Sequence, residues 1–267
     1  MNNMNDEVKT WHYGVMARHW ADNNTTGPEI AYFQKLIQQY GQPALDAGCG
    51  TGRLLIPFLR AGLDVDGCDI SADMLAYCRS KAVAEGLSLN LYQQPLHALD
   101  LPRQYQTIVI CGTFGIGVSR EQDMQALRRF HQHLLPGGVL LLEEHLPYKN
   151  AKEWALWRKD ARQTLPEPIP DDVGGVPDDD RESAMYYRLV SVDPLKQQTV
   201  GEMRMWEYKD KTVVSDITYT LTYNPYFRNE LQMMLEIVGF HIEAVRGSWT
   251  DNEATSDDDV IVFVARK

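Results

Sequence analysis

Basic residues are in deficit in this sequence. Lys and Arg number 26 against 37 Asp and Glu, a formal net charge of -11 at pH 7. An acidic chain repels polyphosphate, which argues against a nucleic-acid surface. Cysteine is scarce too. Cys49, Cys68, Cys78 and Cys111 form neither a CxxC pair nor a Cys/His cluster of zinc type. They read as free thiols in a reducing compartment. The opening residues, MNNMNDEVKTWHYG, have no apolar stretch of signal-peptide kind, and no apolar run approaches membrane-spanning length. No internal repeat is visible. What remains, 267 residues with 44% hydrophobic and 24% charged, suits one large domain with a full core. The expectation is a soluble cytoplasmic protein, monomeric or homodimeric, with no membrane and no nucleic-acid partner.

Between Gln42 and His145, short apolar runs alternate with amphipathic stretches. PALDA (43–47), LDVDGCD (63–69), LSLNLY (87–92), YQTIVIC (105–111) and GGVLLLEEH (137–145) read as strands. RLLIPFLRAG, SADMLAYCRSKAVAEG and SREQDMQALRRFHQHLLPGG read as helices. Ser71 and Ser119 are placed as N-caps, and Gly62, Gly86 and Gly137 as C-caps. This alternation implies right-handed crossovers and a parallel sheet covered on both faces. Residues 11–40 read as two helices around the break Asn23–Pro28. After Pro147 the pattern changes. Residues 165–182 are rich in Pro, Gly and Asp and read as a loop. AMYYRLVSV (184–192), QTVGEMRMWEY (198–208) and TVVSDITYTLTY (212–223) then alternate as antiparallel strands do. A helix, RNELQMMLEIVG, and two strands, FHIEAVRG and DVIVFVARK, close the chain. The antiparallel element thus reads as an insertion into the α/β fold.

The first strand runs into ALDAGCGTGR (44–53), so its glycines fall at the carboxyl edge of the sheet, where open α/β sheets bind ligands. Gly48, Gly50 and Gly52 remove side chains where a ligand must touch the main chain. A phosphate-cradling loop needs Gly-Lys-Ser/Thr, which is absent. A dinucleotide fingerprint needs a sixth-position glycine, and Arg53 stands there. Asp46 is poorly placed for a phosphate but suits an ammonium group. Asp69, ending the next strand, suits ribose hydroxyls. The ligand should carry a ribose and an amino or cationic group, with no pyrophosphate.

LDAGCGTGR, followed by VDGCDIS and SADML, resembles the class I S-adenosylmethionine-dependent methyltransferases. TIVICGTFG and LLPGGVLLLEEH match later landmarks of that fold. The resemblance implies a Rossmann-like, doubly wound α/β fold. Its seven-stranded sheet has the last strand antiparallel, and an antiparallel β insertion lies between strand 5 and the last helix. The cofactor it implies is S-adenosyl-L-methionine, converted to S-adenosyl-L-homocysteine. Asp46 and the Gly48–Gly50–Gly52 loop would hold its methionine end, Asp69 its ribose, and Ile70 and Met74 its adenine. Cys49, Arg53, Cys111 and Gly112 join the set by position. Many members place an acid after the third strand for the adenine amino group. Here Gln94, Pro95 and Leu96 stand there, so main-chain groups near Leu96 and His97 are expected to serve. The expected division is a helical lid (1–41), a cofactor-binding core (42–146), an acceptor-covering insertion (147–225), and the last helix and strands (226–267).

Methyl transfer from a sulfonium is an in-line displacement that needs alignment and exclusion of water, with a base only where the acceptor must lose a proton. His145 is the candidate catalytic residue, against a plain structural hydrogen bond at a strand end. Alternation puts Glu143 and His145 on one face and Glu144 on the other, with at least one of the acids expected to be solvated. Phe114, Glu143, Tyr148 and Trp154, with Trp157, are candidates to line an acceptor pocket, against simple aromatic packing. WHYGVMARHW reads as a lid in which Tyr13 and Arg18 reach the methionine carboxylate, or else as a surface helix. Asn224-Pro-Tyr-Phe227 looks like a DNA-methyltransferase signature in the wrong place and reads as a turn. Asp171, Asp172 and Asp178–Asp180 match no calcium loop and read as a flexible acidic segment, and Asp257–Asp259 reads as a solvated turn. No metal is expected. The acidic balance favours a small-molecule acceptor. The alternatives are a protein or RNA acceptor, or an inactive cofactor-binding protein.

Overall fold

The computed structural model describes residues 11–170, 173 and 182–267. Helices α1 (Gly14–Asn23) and α2 (Pro28–Tyr40) lead in, with Pro28 starting α2 where a missing N–H costs nothing. Strand β1 (Ala44–Ala47) runs into the glycine loop and helix α3 (Leu55–Arg60). Strand β2 (Val65–Asp69) leads to helix α4 (Ala72–Ala84), whose N-cap Ser71 accepts from the Met74 amide at 3.1 Å. Strand β3 (Leu91–Gln93) and a single 3-10 turn (Leu96–Ala98) follow. Next come strand β4 (Tyr105–Ile110) and helix α5 (Arg120–His133), which opens with a capping box between Ser119 and Gln122. Strand β5 (Leu134–His145) and short helices α6 (Ala151–Ala155) and α7 (Lys159–Arg162) lead to the insertion. It comprises β6 (Ser183–Asp193), β7 (Gln198–Lys209) and β8 (Thr212–Tyr223). Helix α8 (Arg228–Val238) and strands β9 (His241–Gly247) and β10 (Val260–Arg266) complete the chain.

The large sheet has the order β3-β2-β1-β4-β5-β10-β9, and β10 runs antiparallel to both neighbours. Strand alternation divides the core between its faces. Ile108, Ile110, Leu140, Leu142, Ile261 and Phe263 join α5 and α8 on one side. Val109, Val139, Leu141, Val262 and Val264 join α2, α3 and α4 on the other. Phe33, Phe58, Phe130 and Phe263 are fully buried, each contributing about 1.5–3 kcal/mol by leaving water.

Two predicted boundaries move. Helix α5 stops at His133 because the sheet takes Leu134, which pairs with Tyr105. The His133 ring accepts from the Leu101 amide at 3.0 Å, fixing that end. Gly137 therefore lies within β5 rather than capping α5. Strand β3 is shorter than LSLNLY suggests, because this edge strand pairs with β2 only from Leu91 onward. The two short helices of 151–162 have no counterpart in the sequence reading.

The second sheet, β6-β7-β8, is antiparallel throughout. Met203, Met205 and Tyr219 on one of its faces pack against Met16 of α1, with Trp11, Val15 and Trp20 beside them. Its last strand is tied to the large sheet. Gly117 donates its amide to Thr222 at 2.7 Å, Asn224 donates to Gly115 at 2.8 Å, and Tyr223 donates its hydroxyl to Glu144 at 2.7 Å. This seam suspends the second sheet over the carboxyl edge of the first. Among the described residues no helix is long and apolar enough to cross a membrane.

Candidate functional site

A cavity of about 1360 Å³ opens at that edge. Its floor is the glycine loop, its near wall residues 69–74 and 93–97, and its far wall the loop after β4. Residues 11–15 and the inner side of β7 and β8 cover it. The volume exceeds the range of about 300–1,000 Å³ typical of a single small-ligand pocket.

Local geometry explains the floor. Gly48 has φ +79°, and a Cβ there would sit 2.6 Å from the Thr113 side chain. Gly50 has φ +51°, with nothing within 4 Å of an added Cβ. The first glycine lets two loops meet, and the second leaves space over bare backbone. Gly52 does not line the cavity. It turns the chain against Cys78 and Ile56.

Two carboxylates dominate. Asp46 is 2% exposed, and burial, aided by the charge of Asp69, pushes its pKa up to about 7. The Leu55 amide donates to its carboxyl, but Oδ2 has no partner. A buried, orphaned carboxylate oxygen beside a cavity calls for a donor from outside the protein. Asp69 Oδ2 accepts from the Gly50 amide at 3.0 Å and Oδ1 from the Ser71 amide at 2.8 Å. Burial raises its pKa against those bonds and the nearby His12. The Ile70 amide is a third donor, and a carboxylate offers about four acceptor sites, so Asp69 keeps about one for a ligand hydroxyl. The orphaned oxygen of Asp46, the bare backbone at Gly50 and this remaining acceptor fit the ammonium and ribose groups of S-adenosylmethionine.

Most residues singled out from sequence meet here. Tyr13, Asp46, Gly48, Cys49, Gly50, Arg53, Asp69, Ile70 and Met74 line the cavity. So do Gln94, Leu96, His97, Cys111, Gly112 and Phe114. The Gln94 side-chain amide is engaged with the Asp100 backbone at 2.7 and 3.1 Å, so it braces the 94–100 loop. Arg53 forms an ion pair with the buried Glu29 and reaches Cys111 Sγ at 3.5 Å. The N-terminal segment is fastened down: the Gly14 amide donates to Asp73 Oδ2 at 2.7 Å, and the Ser71 hydroxyl donates to the His12 carbonyl.

Besides Gly52, five candidates lie elsewhere. Arg18 pairs with Glu207 on β7, outside the cavity. Glu143, His145, Tyr148 and Trp154 do not line it either. Glu143 is enclosed, accepting from Trp249 Nε1 at 2.7 Å and Cys111 Sγ at 3.1 Å, with His145 Nε2 at 3.3 Å. Burial would raise its pKa, but these partners outweigh it and hold it below the usual range. His145 also meets Lys149 Nζ at 2.6 Å, a structural role at the strand end. Neither acid of the pair is solvated: Glu143 is 3% and Glu144 2% exposed. Burial pushes the pKa of Glu144 up to about 8. Trp154 packs against Trp157 and Phe227. Asn224–Phe227 is the link from β8 to α8, with Phe227 at the N-cap in extended conformation. Asp171, Asp172 and Asp178–Asp180 lie outside the described residues. Among those described, no group of three or more His, Cys, Asp or Glu is arranged to hold a metal ion.

The sequence reading missed His12, Asp73, Thr113, Ile116, Val118, Gln122, Asp123 and the β8 residues Tyr219–Thr222, all of which line the cavity. A signal existed for Asp123. In SREQDMQALRRF it holds the first position of the stripe completed by Ala126, Leu127 and Phe130, where an apolar residue belongs. The structure buries all four.

Comparison with known proteins agrees with this geometry. Residues 44–138 match the family model described as a methyltransferase domain. A protein of Geobacillus sp. (strain WCH70) is 31% identical over 124 residues, 45% of this chain and 50% of that one. The chain thus spans about half the length of that relative. YqeM of Bacillus subtilis (strain 168) is 24% identical over 225 residues, 84% of this chain and 83% of its own. In fold, the chain resembles an S-adenosylmethionine-dependent methyltransferase from Clostridium acetobutylicum, with TM-score 0.71 and 15% identity over 94% of this chain and 97% of that one. It also resembles CalS10, an amino pentose methyltransferase from Micromonospora echinaspora, with TM-score 0.62 and 18% identity over 97% and 99%. With the glycine loop and its two carboxylates, residues 44–138 match a methyltransferase domain, and the chain as a whole, strand order included, has the fold of S-adenosylmethionine-dependent methyltransferases.

Proposed function

We propose that this protein methylates a small-molecule acceptor held between the glycine loop and the antiparallel sheet. The observation that carries this reading is the single cavity of about 1360 Å³, floored by Asp46 and Asp69 and roofed by β7 and β8. One compartment has room for cofactor and acceptor together. A structural relative named for an amino pentose lends support. The acidic balance of the chain disfavours a nucleic-acid acceptor.

Bound S-adenosylmethionine supplies a methyl group already activated by its sulfonium charge. Asp46 Oδ2 would hold the ammonium of the amino acid moiety, Asp69 the ribose, and Ile70, Met74 and the backbone of 96–97 the adenine. Residues 11–15, fastened through Ser71 and Asp73, close over this half and exclude water. Thr113, Phe114 and the β8 residues Thr220–Thr222 set the acceptor's angle of approach. In this reading residues 1–41 act as lid and 147–225 as acceptor cover. The four buried free cysteines suit the cytoplasm.

The test is incubation with methyl-labelled S-adenosylmethionine and a library of small metabolites, followed by mass spectrometry. Label on a small molecule is expected. Label found only on added protein or RNA would refute the small-molecule reading.

A further inference from the structure

The acceptor half of the cavity has a particular chemistry. Phe114, Ile116, Val118 and Leu221 give it apolar walls, and Gln122, Thr220 and Thr222 give it neutral hydrogen-bonding groups. Its one charged residue among those described is Asp123, near the start of α5. The basic side chains of the cavity are each engaged. Arg53 sits at the glycine loop, tied to Glu29. His12 lies beside Asp69, and the ring Nε2 of His97 is 3.3 Å from the Gln122 amide nitrogen, which occupies it. Arg120, the cation nearest Asp123 along the chain, lies over the Tyr226 ring and pairs with Glu230. It does not line the cavity.

Asp123 is nearly, but not fully, satisfied. Its Oδ2 accepts from Asn224 Nδ2 at 2.9 Å and Tyr226 OH at 2.7 Å, while Oδ1 accepts only the Gly115 amide at 3.2 Å. Three of about four acceptor sites are filled, and one remains on Oδ1. Those three bonds also fix the carboxylate rigidly between the loop after β4 and the link from β8 to α8.

Three consequences follow for the acceptor. A carboxylate or phosphate would meet the Asp123 carboxyl, and the nearby Arg120, which acts on it from outside the cavity, gives the ligand no contact. A neutral hydroxyl would gain one hydrogen bond to Asp123, where an ammonium gains a charge-assisted one. An amine enters as its ammonium, whose charge Asp123 answers, and once it has given up a proton it carries its own lone pair. On the methyl-transfer reading above, we propose that the acceptor is an amine lacking carboxylate and phosphate groups. Its nitrogen takes the methyl group, and Asp123 receives one of its N–H groups. The ammonium is drawn in and releases a proton to water at the cavity mouth. The freed lone pair forms the N–C bond as the C–S bond breaks, and that bond's electron pair stays on sulfur as a neutral thioether. The product leaves as the methylated ammonium.

The test uses protein saturated with S-adenosylhomocysteine, titrated with three matched probes: cyclohexylamine, cyclohexanol and cyclohexanecarboxylate. The amine is expected to bind about tenfold or more tighter than the alcohol, and the carboxylate weakest. Asp123→Asn should reduce amine affinity about tenfold while leaving S-adenosylhomocysteine affinity unchanged. An alcohol or carboxylate binding as well as the amine would overturn the proposal, as would an Asp123→Asn protein binding the amine like the wild type. The wild-type ranking stands without the variant, should Asp123→Asn fail to fold. If S-adenosylhomocysteine itself fails to bind, the methyl-transfer reading falls and the proposal with it. A failure confined to the probes leaves that reading intact.

Discussion

Substituting Asp69 should separate cofactor binding from folding. Its carboxylate accepts from the backbone amides of Gly50 at 3.0 Å, Ser71 at 2.8 Å and Ile70, which leaves about one acceptor site of four. If that site holds a ribose hydroxyl, Asp69→Ala removes a hydrogen bond to a charged group, about 1.5–3 kcal/mol. The loss corresponds to a Kd about 10- to 100-fold weaker, since each factor of ten is about 1.4 kcal/mol. Asp69→Asn retains shape and one acceptor, so its loss should be about half as large in free energy. The assay is calorimetric titration of wild type and both variants with S-adenosylhomocysteine, with circular dichroism to confirm folding. A folded Asp69→Ala protein whose Kd shifts less than about fivefold would refute the ribose assignment.

Gly50→Ala should keep the fold and lose cofactor binding, because its Cβ meets no protein atom but enters the space above the loop. The positive φ costs about 1–2 kcal/mol, a Tm drop of about 2–8 °C; retained cofactor affinity in a thermal-shift series would contradict the cradle. Asp46, near 7, and Glu144, near 8, are both raised by burial above their unfolded values. Their stabilising contribution is complete below about pH 4 and is lost as pH rises through 7 and 8. The Tm of the ligand-free protein should therefore fall between about pH 4 and about 8, and Glu144→Gln should flatten the upper part of that decline. A Tm that rises over that interval would overturn the assignment. His145→Ala should leave kcat/KM within about twofold, since His145 lies outside the cavity. A loss above about tenfold would return it to the chemistry.

Local features carried most of what the sequence could reveal. The glycine loop, Asp69 and the Ser71 and Ser119 caps are each set by residues a few positions apart, so the chain states them directly. Alternation and the crossover rule implied the parallel part of the sheet, and the family resemblance implied its antiparallel last strand. What escaped depends on distant partners. Arg18 is drawn off by Glu207, and Glu143 is sealed by Trp249, a partner 106 residues away. Nothing in WHYGVMARHW or LLLEEH signals either contact. LLPGG was read as a helix end because its leucines continue the helical stripe, yet pairing with β4 claims it for the sheet. Asp123 is the instructive case. Its sequence position on an apolar stripe was a visible conflict, and such conflicts mark places where fold and function compete.

The central claim is that one cavity holds the cofactor on Asp46 and Asp69 with its sulfur open toward the antiparallel sheet. A crystal structure of the protein with S-adenosylhomocysteine tests it most directly. The account predicts ribose hydroxyls within hydrogen-bond distance of Asp69, the ammonium on Asp46 Oδ2, and open volume between the sulfur and residues 220–222. Cofactor bound elsewhere, or bound with Asp46 Oδ2 still unpartnered, would contradict it.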